Sequence, residues 1–444
     1  MIRKVAKFGG SSMANAQTIR QIASIIQGDP SIHFVVVSAP GRRQKGDLKV
    51  TDLLYQVAKE LETKGTIDSF ALVEARILEI AQGLQLTDFI LPYLIETRVA
   101  ILEDLSLPFI VSRGEYFSSL LLAQYLNYTW VDAKDCIVFR GSTLNYPSSN
   151  QKTRKLLNKM AHVVLGGFYG ENGLGDIKIM ERGGSDITGA IVARAIKANV
   201  YENWTDVDGF LVADPDIVDS PKLIEEMTYK ELRVLSFMGA DVLHSETYYP
   251  VMKSKIPIHI RNTFNPTSEG TYISTSLGHR GENLVTGIAG LQDFTLIVIE
   301  KELMSEVVGL DRKILSIAEK LGIIIEHFPS GTDTFSMMIE SKYLEDGKKE
   351  AFLALIKKTI KPDYVEVTED VSLISIIGRN LMANNYNMLR LFTALVNDNI
   401  TLKMIDYGSS GVNIVIGVSD DDYGFAIKTL YKEFIEDDEE EDQA

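Results

Sequence analysis

Cysteine is almost absent: Cys136 stands alone in 444 residues. No intrachain disulfide can form, so stability must come from a packed core, as in proteins of a reducing cytoplasm. Long apolar runs are missing too. No 18-residue stretch would suit a membrane helix, and the first residues lack the apolar core of a signal peptide. A cytoplasmic location away from membranes is therefore expected. Basic residues are outnumbered: 45 Lys and Arg face 61 Asp and Glu, for a net charge of −16. With no basic stripe to offset the acidity, nucleic-acid binding is disfavoured. The run "EDDEEED" (436–442) supplies 7 of the acids and reads as a solvated tail with no function assigned.

Several chemistries lack their signatures. There is no Walker A loop, no GxGxxG after a strand, no GxSxG elbow and no HExxH. The histidines at 33, 162, 244, 259, 279 and 327 show no metal-ligand spacing, so a zinc enzyme and a protein-built metal site are not expected. What remains is a set of glycine turns, two acidic loops and a few polar residues at strand ends. That set suits anion and phosphate handling better than nucleophilic or metal catalysis.

Hydrophobic residues make up 45% and charged residues 24%, enough for a large core in two or three domains. The opening "KVAKFGGSSMANAQTIRQIASII" (4–26) runs from an apolar strand through Gly9, Gly10, Ser11 and Ser12 into a helix with Ile19, Ile22, Ala23 and Ile26 on one face. Strand, glycine turn and helix N-terminus make an anion site, although an ordinary β-to-α turn fits the same residues. The pattern returns in "HFVVVSAPG" (33–41), "HVVLGGFYG" (162–170), "IKIMERGGSDITGAIVARAIKAN" (177–199) and "VYENWTDVDGFLVADP" (200–215). "LPFIVSRGEYFSSLLLAQYL" (107–126) is read likewise as strand, glycine turn and helix. Alternation of this kind predicts an α/β domain with a largely parallel sheet, its functional turns beyond the strand C-terminal ends. After about residue 283 the pattern changes. Each of two copies reads strand, helix, strand, Ser/Gly turn, strand, helix, and the junction at Gly322 recurs 77 residues on at Asn399. The polar stretch 270–287 is the expected boundary.

Taken in order, "KFGGSS", "VSRGEYFSS", "ERGGSDITGA", "TDVDGFLVADP" and "IRNTFNP" resemble the aspartokinases, and the C-terminal repeat is similar to their tandem ACT domains. The resemblance covers nearly the whole chain, and the length suggests the monofunctional type. It implies an amino-acid-kinase α/β/α sandwich over 1–283 and two α+β ACT-like modules over 284–444. The first module would span about 301–370, and the second 284–300 plus 371–435. The implied reaction moves the ATP γ-phosphoryl group to the side-chain carboxylate of L-aspartate, towards lysine, threonine and methionine. That carboxylate has a pKa of about 3.9, so no general base is needed and catalysis is positioning plus charge screening.

By this resemblance Lys7 and Asp186 are catalytic. Ser38, Thr51, Glu115, Arg182 and Ser185 bind aspartate, Glu115 at the α-ammonium and Arg182 at the α-carboxylate. Lys7, Gly9, Gly10, Ser11, Thr205, Asp206, Asp208, Gly209, Asp214 and Pro215 bind ATP, with Mg²⁺ brought by the triphosphate. On residue type alone, Thr51, Ser185 and Asp186 are also good helix caps, and "DVDG" and "ADPD" are ordinary turn sequences. Whether Asp186 orients Lys7, the substrate or Mg²⁺ stays open. Asp216 and Asp241 stand where many relatives carry Arg and Lys; Lys253, Lys255 and Arg261 could substitute. The resemblance also implies an amino-acid effector near Met304, Ser330, Gly331, Thr332 and Asp333, with lysine favoured over threonine. A homodimer or dimer of dimers through the ACT region would follow. A catalytically weak amino-acid sensor of the same fold is the alternative.

Overall fold

The computed structural model describes residues 2–103, 106–181, 183–240, 243, 245–276, 284–381, 383–407 and 411–436. It divides into two compact units, one of Met1–Phe210, Leu223–Tyr229 and Asp241–Gly281, the other of Leu211–Lys222, Lys230–Ala240 and Glu282–Ala444.

The first unit is built from strands β1 (Lys4–Phe8), β2 (Ile32–Val37), β3 (Thr129–Val131), β4 (Phe139–Arg140), β5 (Thr143–Leu144), β6 (Val163–Gly166), β7 (Tyr169–Glu171), β8 (Ile177–Ile179), β9 (Val200–Thr205), β10 (Glu226–Thr228), β11 (Ile258–Asn262) and β12 (Thr271–Ser274). Eight of them form one sheet in the order β10-β12-β11-β9-β1-β2-β6-β3. Its pairings are parallel except β11 with β12. The central strand β1 is apolar because both its neighbours and the covering helices exclude water; Val5, Ala6 and Phe8 are fully buried. Helix α1 (Ala16–Gly28) starts at Asn15, whose side chain accepts from the Gln17 and Thr18 N–H groups, and it buries Ile19, Ile22, Ala23 and Ile26. Each of the three isoleucines contributes about 1.5–3 kcal/mol.

The expected alternation fails over residues 50–126. Here α2 (Val50–Lys64), α3 (Phe70–Gly83), α4 (Thr87–Glu103) and α5 (Leu107–Leu126) follow one another with no strand between them among the described residues. The stretch 107–126 is one 20-residue helix, not strand, turn and helix. Pro108 sits at its start, where a missing N–H costs nothing. Gly114 is not a turn: a Cβ there would lie 2.6 Å from the Ala39 Cβ, so the glycine serves close packing of α5 on the loop after β2. Two further helices, α6 (Tyr146–Leu157) and α7 (Gly184–Ile196), precede β9.

The second unit takes in most of α8 (Tyr229–Phe237), whereas α9 (Ser245–Lys253) belongs to the first. Its strands β13 (Gly287–Glu300), β14 (Thr334–Glu340), β15 (Tyr364–Ile377), β16 (Met404–Tyr407) and β17 (Asn413–Ser419) form an antiparallel sheet in the order β14-β13-β15-β17-β16. Helices α10 (Leu310–Leu321), α11 (Lys348–Thr359), α12 (Asn385–Asn397) and α13 (Tyr423–Tyr431) complete the two copies. The repeat junctions match: Gly322 and Asn399 both have left-handed backbones, φ 65° and 56°. The copies differ after the junction. In the second copy the strand forms as β16, while in the first only isolated bridges, His327 to Met338 and Ser330 to Phe335, replace it. The long β13 serves both copies, Phe294–Glu300 pairing with β14 and Gly287–Leu291 with the half of β15 that also pairs with β17.

Candidate active site

The C-terminal ends of β1, β2, β6 and β9 open onto a cavity of about 870 Å³. Its wall contains Lys7, Gly9, Gly10, Ser11, Ser38, Thr51, Glu115, Ser185, Asp186, Thr205 and Asp206. Residues far apart in sequence thus meet where the sheet reading places its functional turns.

Lys7 is 7% exposed and lies beside Asn203 of β9 in the sheet register. Its Nζ meets Asp186 Oδ1 at 2.5 Å and Asn203 Oδ1 at 3.5 Å, and Asn203 Nδ2 donates to the same Asp186 oxygen at 2.9 Å. The Tyr201 hydroxyl donates to the Asp186 backbone carbonyl at 3.0 Å. Asp186 is therefore the ion-pair partner of Lys7. It is not a cap, because Gly183 holds the cap position of α7 with φ 71° and Ser185 and Asp186 stand inside the first turn. Thr51 is no cap either: α2 begins at Val50, after Lys49. Asn203, 4% exposed, and Tyr201 were not expected at the site from sequence; a lone Asn in an apolar strand carries no spacing signal.

The turn after β1 touches the turn after β2. Gly41 N donates to Gly10 O at 2.8 Å, and a Cβ on Gly41 would lie 2.6 Å from the Gly10 carbonyl carbon. Ser12 Oγ and Thr263 Oγ1 share a 2.8 Å hydrogen bond. Glu115, on α5, is 5% exposed, and its Oε2 is buried with no hydrogen-bond partner. Burial pushes its pKa up to about 8; the backbone donors of Ala39 and Glu115 and the charge of Arg113 offset this only in part. Tyr55, one turn beyond Thr51 on α2, also lines the cavity. Arg182 lies outside the described residues, as does Asp241.

The acidic loops divide. Thr205 and Asp206 line the cavity, and Thr205 Oγ1 donates to Asp206 Oδ1 at 3.2 Å. Asp208 instead accepts from Asn262 Nδ2 at 2.9 Å and Asn265 Nδ2 at 3.1 Å, and neither it nor Gly209 is in the cavity wall. Asp214 and Pro215 belong to the second unit, where Asp214 Oδ1 accepts from Asp216 N at 2.9 Å. Of the basic residues considered as substitutes, Arg261 stacks on Trp204 at 4.6 Å and donates to Pro266 O at 2.7 Å. Lys253 lies over Tyr249 at 4.9 Å. In the second unit, Asp333 Oδ1 accepts from Met304 N at 3.2 Å and Asp333 O from Lys301 N at 2.9 Å. Gly331 N donates to Thr334 O at 2.8 Å, closing an exposed turn that contains Thr332 and Asp333, with Ser330 exposed just before it.

The amino acid kinase family matches residues 3–262. Aspartokinase 3 of Bacillus subtilis (strain 168) is 34% identical over 447 residues, covering 97% of this chain and 98% of that one. The chain belongs to the aspartokinases. An ACT domain matches residues 374–434. The crystal structure of Clostridium acetobutylicum aspartate kinase, an allosteric enzyme, superposes with a TM-score of 0.90 at 40% identity, covering 97% of this chain and 100% of its own. Escherichia coli aspartokinase III in complex with lysine and aspartate shares the fold, with a TM-score of 0.73 at 23% identity over 98% and 99% of the two chains. This aspartokinase is thus an aspartate kinase, and no helix among its described residues is long and apolar enough to cross a membrane.

Proposed function

We propose that the cavity beside Lys7 is where the ATP γ-phosphoryl group passes to the side chain of L-aspartate, giving 4-phospho-L-aspartate. One observation carries this reading: the same cavity holds an anchored cation, Lys7, and a buried carboxylate, Glu115, with an unpartnered oxygen. A zwitterionic substrate with an extra carboxylate fits that pair. Its α-ammonium supplies the donor that Glu115 lacks, and Arg182 holds the α-carboxylate in a bidentate fork. The side-chain carboxylate is already ionised, so no base is required. Lys7, held by Asp186 and Asn203, neutralises charge on the moving phosphoryl group, and the backbone N–H groups of Gly9, Gly10 and Ser11 cradle its oxygens. Ser38, Thr51 and Ser185 complete the aspartate side. Thr205 and Asp206 face the nucleotide, and Asp208, Gly209, Asp214 and Pro215 shape the loop that follows.

Among the described residues no group of three His, Cys, Asp or Glu could hold a metal ion. Mg²⁺ is read as a partner of the triphosphate, whose charge it would screen when bound. The regulatory reading is feedback inhibition by an end product of the pathway to lysine, threonine and methionine. Lysine is favoured and threonine second, with binding at the turn of Ser330, Gly331, Thr332 and Asp333 beside Met304. A cytoplasmic homodimer, or a dimer of dimers, paired through the ACT region completes this reading. A single assay tests the chemistry: ATP, Mg²⁺ and a panel of amino acids with hydroxylamine, which traps an acyl phosphate as hydroxamate. Signal with aspartate alone is expected. Signal with glutamate would redirect the substrate assignment, and no signal with any amino acid would favour an inactive sensor.

A further inference from the structure

The turns that shape the cavity are irregular, and one buried cation lies behind them. Arg76, on α3, is 5% exposed. Its Nη2 donates to Ala14 O at 3.2 Å, just past the Gly9–Met13 turn, and to Gly41 O at 2.9 Å, in the turn after β2. Its Nη1 meets Asp47 Oδ2 at 2.8 Å. Asp47 also accepts from Arg43 N at 3.0 Å and Arg43 Nε at 2.9 Å, and Arg43 Nη1 meets Glu79 Oε2 at 2.6 Å. The segment tied down in this way leads to Arg42 and Lys49, two cations that line the active-site cavity. A guanidinium is costly to bury unless its donors are used. Here the two terminal nitrogens reach three separate acceptors, of which Gly41 is in the cavity wall, while Nε is buried without a partner.

We infer that Arg76 is a positioning residue for phosphoryl transfer. Its planar fork bonds the two glycine turns, which touch each other through Gly41 N and Gly10 O, and fixes the 42–49 segment against them. Without it the carbonyls of Ala14 and Gly41 lose their donor and the backbone N–H groups facing phosphate lose their mutual geometry. Lysine offers a point charge and cannot span all three acceptors. The inference rests on the cavity being the active site.

The test uses the full chain with the substitutions Arg76→Ala, Arg76→Lys and Asp47→Ala, and Lys7→Ala as a control. Rates are measured by hydroxamate trapping at varied ATP and aspartate, beside thermal midpoints. A misplacement of about 1 Å costs on the order of 10²-fold, so Arg76→Ala should lower kcat roughly ten- to a hundredfold and raise the KM for ATP. Arg76→Lys should recover part of the rate, and added guanidinium should raise the kcat of Arg76→Ala without raising its thermal midpoint. A folded Arg76→Ala with kcat and both KM values near wild type overturns the inference. Should Arg76→Ala not fold, Asp47→Ala decides: lowered kcat supports the inference, and unchanged parameters overturn it. An inactive Lys7→Ala beside a normal Arg76→Ala sinks the inference alone, whereas a fully active Lys7→Ala sinks the active-site reading and the inference together.

Discussion

Aspartate binding should depend on pH through Glu115, and the structure sets both the sign and the size. In the ligand-free site burial pushes the Glu115 pKa up to about 8, from an ordinary value of 4.5. At pH 7 about nine in ten empty sites therefore hold a proton on this carboxyl. Pairing with an ammonium favours the ionised form, so binding must expel that proton. Affinity for aspartate then rises with pH, by about tenfold from pH 6 to 7 and less from 7 to 8, and levels off above 8. Stability of the empty protein moves the other way. The folded state holds a proton that the unfolded state has released between pH 4.5 and 8, so stability falls as pH rises through this window. The cost of the ionised carboxyl reaches several kcal/mol at high pH. Glu115→Gln removes the titration while keeping the shape. Calorimetry in two buffers of different ionisation enthalpy measures both quantities. Near pH 7 the wild type should release close to one proton per aspartate bound, and Glu115→Gln should bind weakly with a pH-independent dissociation constant. A wild-type constant that stays flat between pH 6 and 8, with no proton release, would refute the reasoning.

Three further outcomes are expected. Asn203→Leu removes the amide that steadies Lys7 and Asp186, and should lower kcat roughly tenfold with a smaller change in the KM for aspartate; steady-state kinetics checks it. Gly41→Ala sets a Cβ 2.6 Å from the Gly10 carbonyl, which should cost about 1–3 kcal/mol and appear as a lower thermal midpoint. Asp333→Ala frees the Met304 N–H and should raise the lysine concentration needed for half-inhibition, read from inhibition curves; an unchanged curve would remove this turn from the effector site.

Much of this was legible before any coordinates because local chemistry and tertiary role agree. A strand entering Gly9-Gly10 with Lys7 ahead of it fits an anion site or a plain turn, and the ordered motifs favoured the first; the repeat showed itself at Gly322 and Asn399, where a left-handed residue follows each helix. The failures have physical causes. "LPFIVSRGE" looks like a buried strand and turn because β-branched residues precede a glycine. In the fold that glycine is helical, and only contact with Ala39, 75 residues away in sequence, requires it. Asn203 was hidden because its partner Lys7 is 196 residues distant and is met only through the register of β1 with β9. Asp208 looks like Asp206 as a turn acid, and only the fold shows Asp208 tied to Asn262 and Asn265 while Asp206 lines the cavity.

The central claim is that Lys7, held by Asp186 and Asn203, acts on charge that develops as the phosphoryl group moves. Its most direct test is the kcat of Lys7→Ala at saturating ATP and aspartate, followed as hydroxamate. Loss of one preorganised electrostatic group predicts a fall of about 10² to 10³ in kcat, with the KM for aspartate changed far less. A kcat close to wild type would contradict the account and remove Lys7 from the mechanism.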